Sequence, residues 1–109
     1  MVNCEYVDVK SALQRIGGSM DLYKRLLGQF TDGDHIGSLE EALIAGNSEE
    51  AIRLAHTLKG VSANLSLDKL SRTAAELERN IKDGSDCSGT VAELKSIYYE
   101  TSLQIALIS

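Results

Sequence analysis

Proline and tryptophan are absent from the 109 residues, and the aromatic residues are one phenylalanine and four tyrosines. Loop-rich β folds usually need proline at their turns, whereas long helices tolerate its absence. Leu, Ala, Glu, Lys, Arg and Ile are plentiful instead, and these residues favour helix. We therefore expect an all-α protein, and the length fits a single domain over residues 1–109.

Long apolar runs and an excess of positive charge are also missing. No run approaches the ~20 apolar residues of a membrane span, and Met1–Lys10 lacks the charged start and apolar stretch of a signal peptide. The formal net charge is −5, and an acidic surface repels nucleic-acid phosphate and anionic lipid. We expect a cytoplasmic protein whose partners are neither nucleic acid nor membrane.

Cysteine is scarce, since Cys4 and Cys87 are the only two and lie far apart in the chain. No second cluster of metal ligands accompanies them, so no metal site is predicted. A disulfide between them stays open, although free thiols are the usual state in a cytoplasmic protein and are our expectation.

Apolar residues recur at helical spacing through almost the whole chain and predict six helices. Gly17-Gly18 ends the first helix, and Ser19 caps the second. A polar break at Thr31–Asp34 precedes the third helix, which ends near Gly46. We expect the first and second helices to lie outside the main bundle.

The fourth helix, about residues 48–65, is predicted to begin with a capping box of Asn47 and Glu50. A tight turn at Ser66 and Asp68 leads to the fifth helix, and a second capping box, Thr90 with Glu93, opens the sixth. Long helices with short connections run antiparallel to their neighbours. The third to sixth helices therefore predict an antiparallel four-helix bundle, with the two N-terminal helices covering one end or one side.

The fourth helix has an unusual outer face. At about 100° per residue, His56 lies opposite the predicted core face and should point to solvent. Ile52 and Ala63 lie near it in projection, Lys59 follows three residues later, and Gly60 one turn later. A mid-helix glycine costs about 1 kcal/mol relative to alanine, so Gly60 needs an explanation. The alternative is that this strip packs against another helix. The predicted core face is Ala51, Leu54, Ala55, Leu58, Val61, Ser62 and Leu65.

The string Ala55-His56-Thr57-Leu58-Lys59-Gly60 resembles the A-H-x-L-K-G signature of histidine-containing phosphotransfer (HPt) domains. Gly17-Gly18 and the leucines that follow are similar to the usual N-terminal segment of the family. One departure is that Ser66-Leu67 stands where many members have glycine and alanine. Ser66 is expected to cap the next helix in spite of this.

The resemblance implies an HPt-type bundle that carries a phosphoryl group on Nε2 of His56 between response-regulator receiver domains. Lys59 would support the phosphoryl group, and Gly60 would leave room for the receiver. From the projection, Ile52 and Ala63 would add docking surface. Neutral imidazole is the nucleophile, and no cofactor, metal or ATP-binding module of its own is expected. A monomer is expected, either free-standing or part of a hybrid histidine kinase.

Three other functions compete with this one. The dimerisation domain of a histidine kinase usually has a proline soon after its histidine, and this chain has none. A chemotaxis-kinase-type phosphotransfer module and a helical interaction domain without phosphorylation remain alternatives, although Lys59 and Gly60 beside His56 argue against the latter. The other histidine, His35, is predicted to be a surface residue near a helix start. Tyr98 and Tyr99 are expected to be one core ring and one partly exposed ring.

Overall fold

The computed structural model describes residues 6–108, which contain six helices and no strand. None of these helices combines the length and the apolar character needed to cross a bilayer. Cys87 is a free thiol, whereas Cys4 lies outside the described residues, as does half of the N-terminal segment Met1–Lys10. The helices are α1 (Val9–Arg15), α2 (Met20–Asp32), α3 (His35–Ile44), α4 (Ser48–Asn64), α5 (Asp68–Lys82) and α6 (Ser88–Ile108).

The core runs between α3, α4, α5 and α6, as the sequence predicts, and it continues into α2 through the buried Tyr23, Leu27 and Phe30. The most extensive packing joins α4 to α5, while α3 packs on α4 and α6 packs on α5. Each of the four helices contributes leucine side chains that are almost completely buried, and burial of such side chains is the main force that holds a bundle together. The leucines are Leu39, Leu58, Leu70, Leu77 and Leu94.

The first two helices cover the carboxyl end of α4. The last carbonyls of a helix have no partner within that helix, and here other elements supply the donors. The Tyr23 hydroxyl donates to the Leu65 carbonyl at 2.8 Å in a buried contact. Nη1 of Arg15 donates to the Ala63 carbonyl at 2.6 Å. Of the two predicted positions for α1 and α2, an end or a side, the structure therefore shows the end.

Side-chain caps begin two of the helices where the sequence predicts them. Ser19 Oγ accepts the Leu22 N–H at 3.2 Å, and Asn47 Oδ1 accepts the Glu50 N–H at 3.2 Å. Each bond satisfies a backbone donor that the first turn of a helix leaves free. The break predicted at Thr31–Asp34 is shorter than expected, because α2 takes its first two residues.

The predicted capping box at the start of α6 is wrong. The helix begins at Ser88, whose N–H is accepted by Oδ1 of Asp86 at 3.0 Å. Thr90 therefore lies inside the first turn, with Glu93 further along the helix. The Thr90 hydroxyl accepts a hydrogen bond from the Asn80 side-chain amide at 2.7 Å. This contact ties α6 to α5, and the local sequence gave no sign of it.

Ser66 does not cap α5, contrary to expectation. Leu67 occupies the N-cap position and forms no side-chain cap. Ser66 is buried and has φ +58°, in the left-handed region that glycine adopts without cost and other residues adopt at about 1–2 kcal/mol. Its carbonyl accepts the Asp8 N–H at 3.0 Å, and its hydroxyl lies 3.3 Å from that of Ser11. Serine thus keeps a glycine conformation and gains contacts with the N-terminal segment.

His35 begins α3, as the sequence predicts, but its side chain is half-buried and is not at the surface as expected. Only residues 33–34 separate α2 from α3, so the ring folds back and stacks on Phe30, with ring centroids 4.7 Å apart. The His35 Nε2–H donates to the Phe30 carbonyl at 3.0 Å. Tyr98 packs against the same cluster and is half-buried, whereas Tyr99 is exposed. Tyr98 is therefore the more buried of the two, as the sequence predicts, but its ring lies against the core and is not fully buried in it.

Candidate functional site

His56 projects from the middle of α4 into solvent, with 66% of its side chain exposed. The Asn47 cap and the acidic first turn of α4 favour helix formation, since negative charge is stabilising at a helix N-terminus. Ala55 and Leu58 are buried on the opposite side of the helix. The orientation of His56 therefore follows from the apolar periodicity of α4.

The Nδ1 edge of the His56 imidazole ring faces a carboxylate on α5. Nδ1 of His56 lies 3.4 Å from Oε1 and 3.3 Å from Oε2 of Glu78. A carboxylate only accepts hydrogen bonds, so this contact places the imidazole proton on Nδ1. In a neutral ring the lone pair is then on Nε2, the nitrogen that does not contact Glu78.

Glu78 is a buried anion held by three donors. Its side chain is 9% exposed, and besides His56 it binds Lys59 Nζ at 3.1 Å and Lys82 Nζ at 3.0 Å. Burial raises the pKa of Glu78, but the hydrogen bonds from Lys82, Lys59 and His56 lower it more and hold it at about 2, below its ordinary value of 4.5. The carboxylate is thus ionised at neutral pH.

The α4–α5 hairpin brings these residues together. Leu67 lies at the centre of the turn, and His56 precedes it by as many residues as Glu78 follows it. Antiparallel helices of equal rise therefore place the two side chains at the same height. The Ser71 hydroxyl donates to the Lys59 carbonyl at 3.0 Å and ties the two helices at this level.

The sequence prediction of the site missed Glu78 and Lys82. Two signals were available in α5. Glu78 follows the buried Ala74 by one helical turn, so an acidic residue falls on the inward side of the helix. Lys82 follows Glu78 at the i,i+4 spacing of a helical ion pair. Neither signal identifies the partner on α4, because that requires the register of the hairpin.

The five residues predicted from the sequence all lie along one strip of α4. Ile52, Lys59 and Ala63 are half-buried, while His56 and Gly60 are exposed. A Cβ built on Gly60 would meet no atom within 4 Å apart from those of its chain neighbours and the nearby backbone of α4, so the space above this residue is open. The strip is about 16 Å long at the rise of an α-helix and presents the imidazole near its middle.

The helical bundle presents an exposed histidine with one ring nitrogen on a buried carboxylate, so the other ring nitrogen is available to a partner. The model of the Hpt domain family matches residues 26–103, and the chain belongs to this family. Hpt domains take part in histidine phosphotransfer in two-component systems, interact with receiver domains and are not kinases. Comparison with curated proteins and with solved structures gave no match.

Proposed function

We propose that this chain accepts a phosphoryl group on His56 from the phospho-aspartate of one receiver domain and passes it to another. The observation that supports this most is the contact between His56 Nδ1 and the ionised Glu78 carboxylate. In the neutral ring this contact selects the tautomer whose lone pair is on the exposed Nε2, which is the form that a nucleophile requires.

The first transfer step balances without an added acid or base. The Nε2 lone pair of His56 attacks phosphorus, the bond from phosphorus to the aspartate oxygen breaks, and its electron pair leaves on the receiver carboxylate. The proton stays on Nδ1, so the phosphorylated ring is positively charged. The Glu78 carboxylate, 3.3 Å away, stabilises that charge. In the second step an aspartate of the next receiver attacks phosphorus, the N–P bond breaks, and neutral imidazole is restored.

The neighbouring residues along the strip serve alignment and charge, on which phosphoryl transfer mainly depends. Lys59 lies one turn beyond His56, and its ammonium can exchange part of its contact with Glu78 for a phosphoryl oxygen. Gly60 leaves room for the receiver, while Ile52 and Ala63 supply apolar docking surface. The metal and lysine of the receiver would supply the rest of the charge stabilisation.

Several further features of this function stay predictions. They are a single domain over residues 1–109, a monomeric state, a cytoplasmic location and a supply of phosphoryl groups from a kinase module elsewhere, since no ATP-binding module is expected within the chain. The receiver domains can be separate proteins or belong to a hybrid histidine kinase.

The test is phosphoryl transfer from a chemically phosphorylated receiver to three chains: wild type, His56→Gln and His35→Gln. His35 is the only other histidine and provides the matched control. We expect acid-labile, alkali-stable label on wild type and His35→Gln and none on His56→Gln, with helical circular dichroism retained in all three. Label on His56→Gln would refute the assignment. Folded proteins that accept nothing from any receiver of the same organism would favour the unphosphorylated interaction domain.

A further inference from the structure

Arg15 places a positive charge at one end of the strip that carries His56. It is the last residue of α1, it is exposed, and its Nη1 donates to the Ala63 carbonyl at 2.6 Å. Ala63 follows His56 by two helical turns on the same side of α4. The guanidinium group is therefore about 10 Å from the imidazole along the helix axis.

Arg15 differs from the other cations near the strip in the partner that it binds. Other cations near the strip are paired, Lys59 with Glu78 and Arg53 with Glu50. Within residues 6–108, Arg15 forms no ion pair, and the group it binds is a neutral backbone carbonyl. A guanidinium has five N–H donors, so most of its donors remain available to a partner. In a chain of net charge −5, this leaves an unneutralised cation beside the transfer site.

We propose that Arg15 binds an acidic side chain on the docking surface of the receiver domain, about 10 Å from the transferred phosphoryl group at the rise of an α-helix. This inference rests on the proposed function and adds a determinant of partner choice. Opposite charges at the edge of an interface speed association and fix orientation more than they change the chemical step. A purely structural role, tying α1 to α4, predicts a loss of stability instead.

The test compares Arg15→Gln with Lys10→Gln. Glutamine keeps an amide donor for the Ala63 carbonyl but has no charge. Lys10 is exposed on the same helix, about 140° around it from Arg15 at 100° per residue, so its variant loses the same charge elsewhere. Both changes are made in chains that also carry His56→Gln, so receiver binding is measured without transfer. In chains that keep His56, transfer kinetics are measured as kcat and KM.

We expect Arg15→Gln to weaken receiver binding about 3- to 10-fold at low ionic strength, with the difference vanishing at high ionic strength as exposed charges are screened. In the transfer assay, the effect of Arg15→Gln should be a higher KM with kcat unchanged. Arg15→Lys should restore most of the receiver binding. Lys10→Gln should bind the receiver as tightly as the same chain without that change.

Equal binding by the two glutamine variants at every ionic strength would overturn the inference. So would a loss that persists at high ionic strength together with a lower Tm, because that pattern indicates a structural role. Binding that depends on Arg15, with no phosphoryl transfer to His56, would refute the proposed function and keep the docking role. No receiver binding by any of these chains would refute both.

Discussion

His56 and Glu78 form a pair across the α4–α5 hairpin, with Nδ1 of the exposed imidazole 3.3 Å from Oε2 of the buried carboxylate. The two ring nitrogens therefore differ in their surroundings, since one faces a fixed negative charge and the other is left for a partner. The site is thus built from two helices, although its recognisable signature lies on α4 alone.

Replacing Glu78 with glutamine should slow phosphoryl transfer. The amide oxygen can still accept the Nδ1–H of His56, but it carries no charge to stabilise the positive ring. A hydrogen bond to a charged group is worth about 1.5–3 kcal/mol, so a roughly 10- to 100-fold loss in single-turnover rate is expected. Glu76→Gln, at an exposed position on the same helix, should leave the rate unchanged. An unaltered rate in the Glu78 variant would remove the carboxylate from the mechanism.

Acidification should reduce the stability that Glu78 contributes. Its pKa in the folded protein, about 2, lies below the ordinary value of 4.5, so the unfolded chain binds the proton more readily. The contribution is therefore complete above pH 4.5 and is lost as the pH falls through the folded pKa of about 2. Urea unfolding of wild type and Glu78→Gln should show a difference in unfolding free energy that shrinks across this window. Parallel pH profiles for the two proteins would contradict the expectation.

Two mid-helix glycines allow the effect of a glycine on helix stability to be measured separately from its effect on receiver docking. Neither Gly60 on α4 nor Gly28 on α2 has an atom within 4 Å of a built Cβ. Alanine at either position should therefore raise the unfolding free energy by about 1 kcal/mol. Gly60→Glu should hinder the receiver through bulk and charge and lower kcat/KM at least severalfold, whereas Gly28→Glu should not. Equal kcat/KM for the two glutamate variants would show that Gly60 does not lie on the approach path.

Lys59 and Lys82 bind the same carboxylate, so comparing them isolates the role of Lys59. If Lys59 supports the phosphoryl group directly, Lys59→Ala should slow transfer or shorten the lifetime of the phosphohistidine by more than Lys82→Ala does. Both variants remove one cation from Glu78, which makes the second a matched control. Equal effects in transfer and dephosphorylation assays would indicate that both lysines act only through Glu78.

The turn between α4 and α5 predicts an unusual order of stabilities. Ser66→Ala and Ser66→Gly both remove the hydroxyl contact with Ser11, but only glycine relieves the left-handed backbone at φ +58°. The glycine variant should therefore be more stable than the alanine variant by about 1 kcal/mol. Thermal unfolding of the two variants provides the measurement, and the reverse order would show that the backbone at residue 66 is not strained.

The sequence predicted the parts of the structure that are governed by local rules. The six helices, the caps at Ser19 and Asn47 and the outward direction of His56 follow from periodicity and capping chemistry within a few residues. The predictions that failed depend on contacts between residues that lie far apart in the sequence. The local spacing predicts Thr90 as a cap, whereas its hydroxyl binds Asn80 on α5, a partner that only the packing of the helices brings close.

The same limit explains why Glu78 was missed. Its position on α5 is that of an ordinary inward-facing residue, and its importance arises only when the hairpin register places it beside His56 and Lys59. The prediction that Ser66 caps α5 fails for a related reason. A serine before a helix usually caps it, whereas here its conformation is set by the turn and by contacts with Asp8 and Ser11.

The side chains that cover the carboxyl end of α4 limit how far the domain can be shortened from its N-terminus. The family match begins at residue 26, yet Arg15 and Tyr23, whose side chains bind the Ala63 and Leu65 carbonyls, precede that point. A fragment that starts at residue 26 would lose both donors and the completely buried ring of Tyr23, leaving α4 free to fray towards His56. We therefore expect a stable fragment of this domain to need residues on the amino-terminal side of the segment that matches the family.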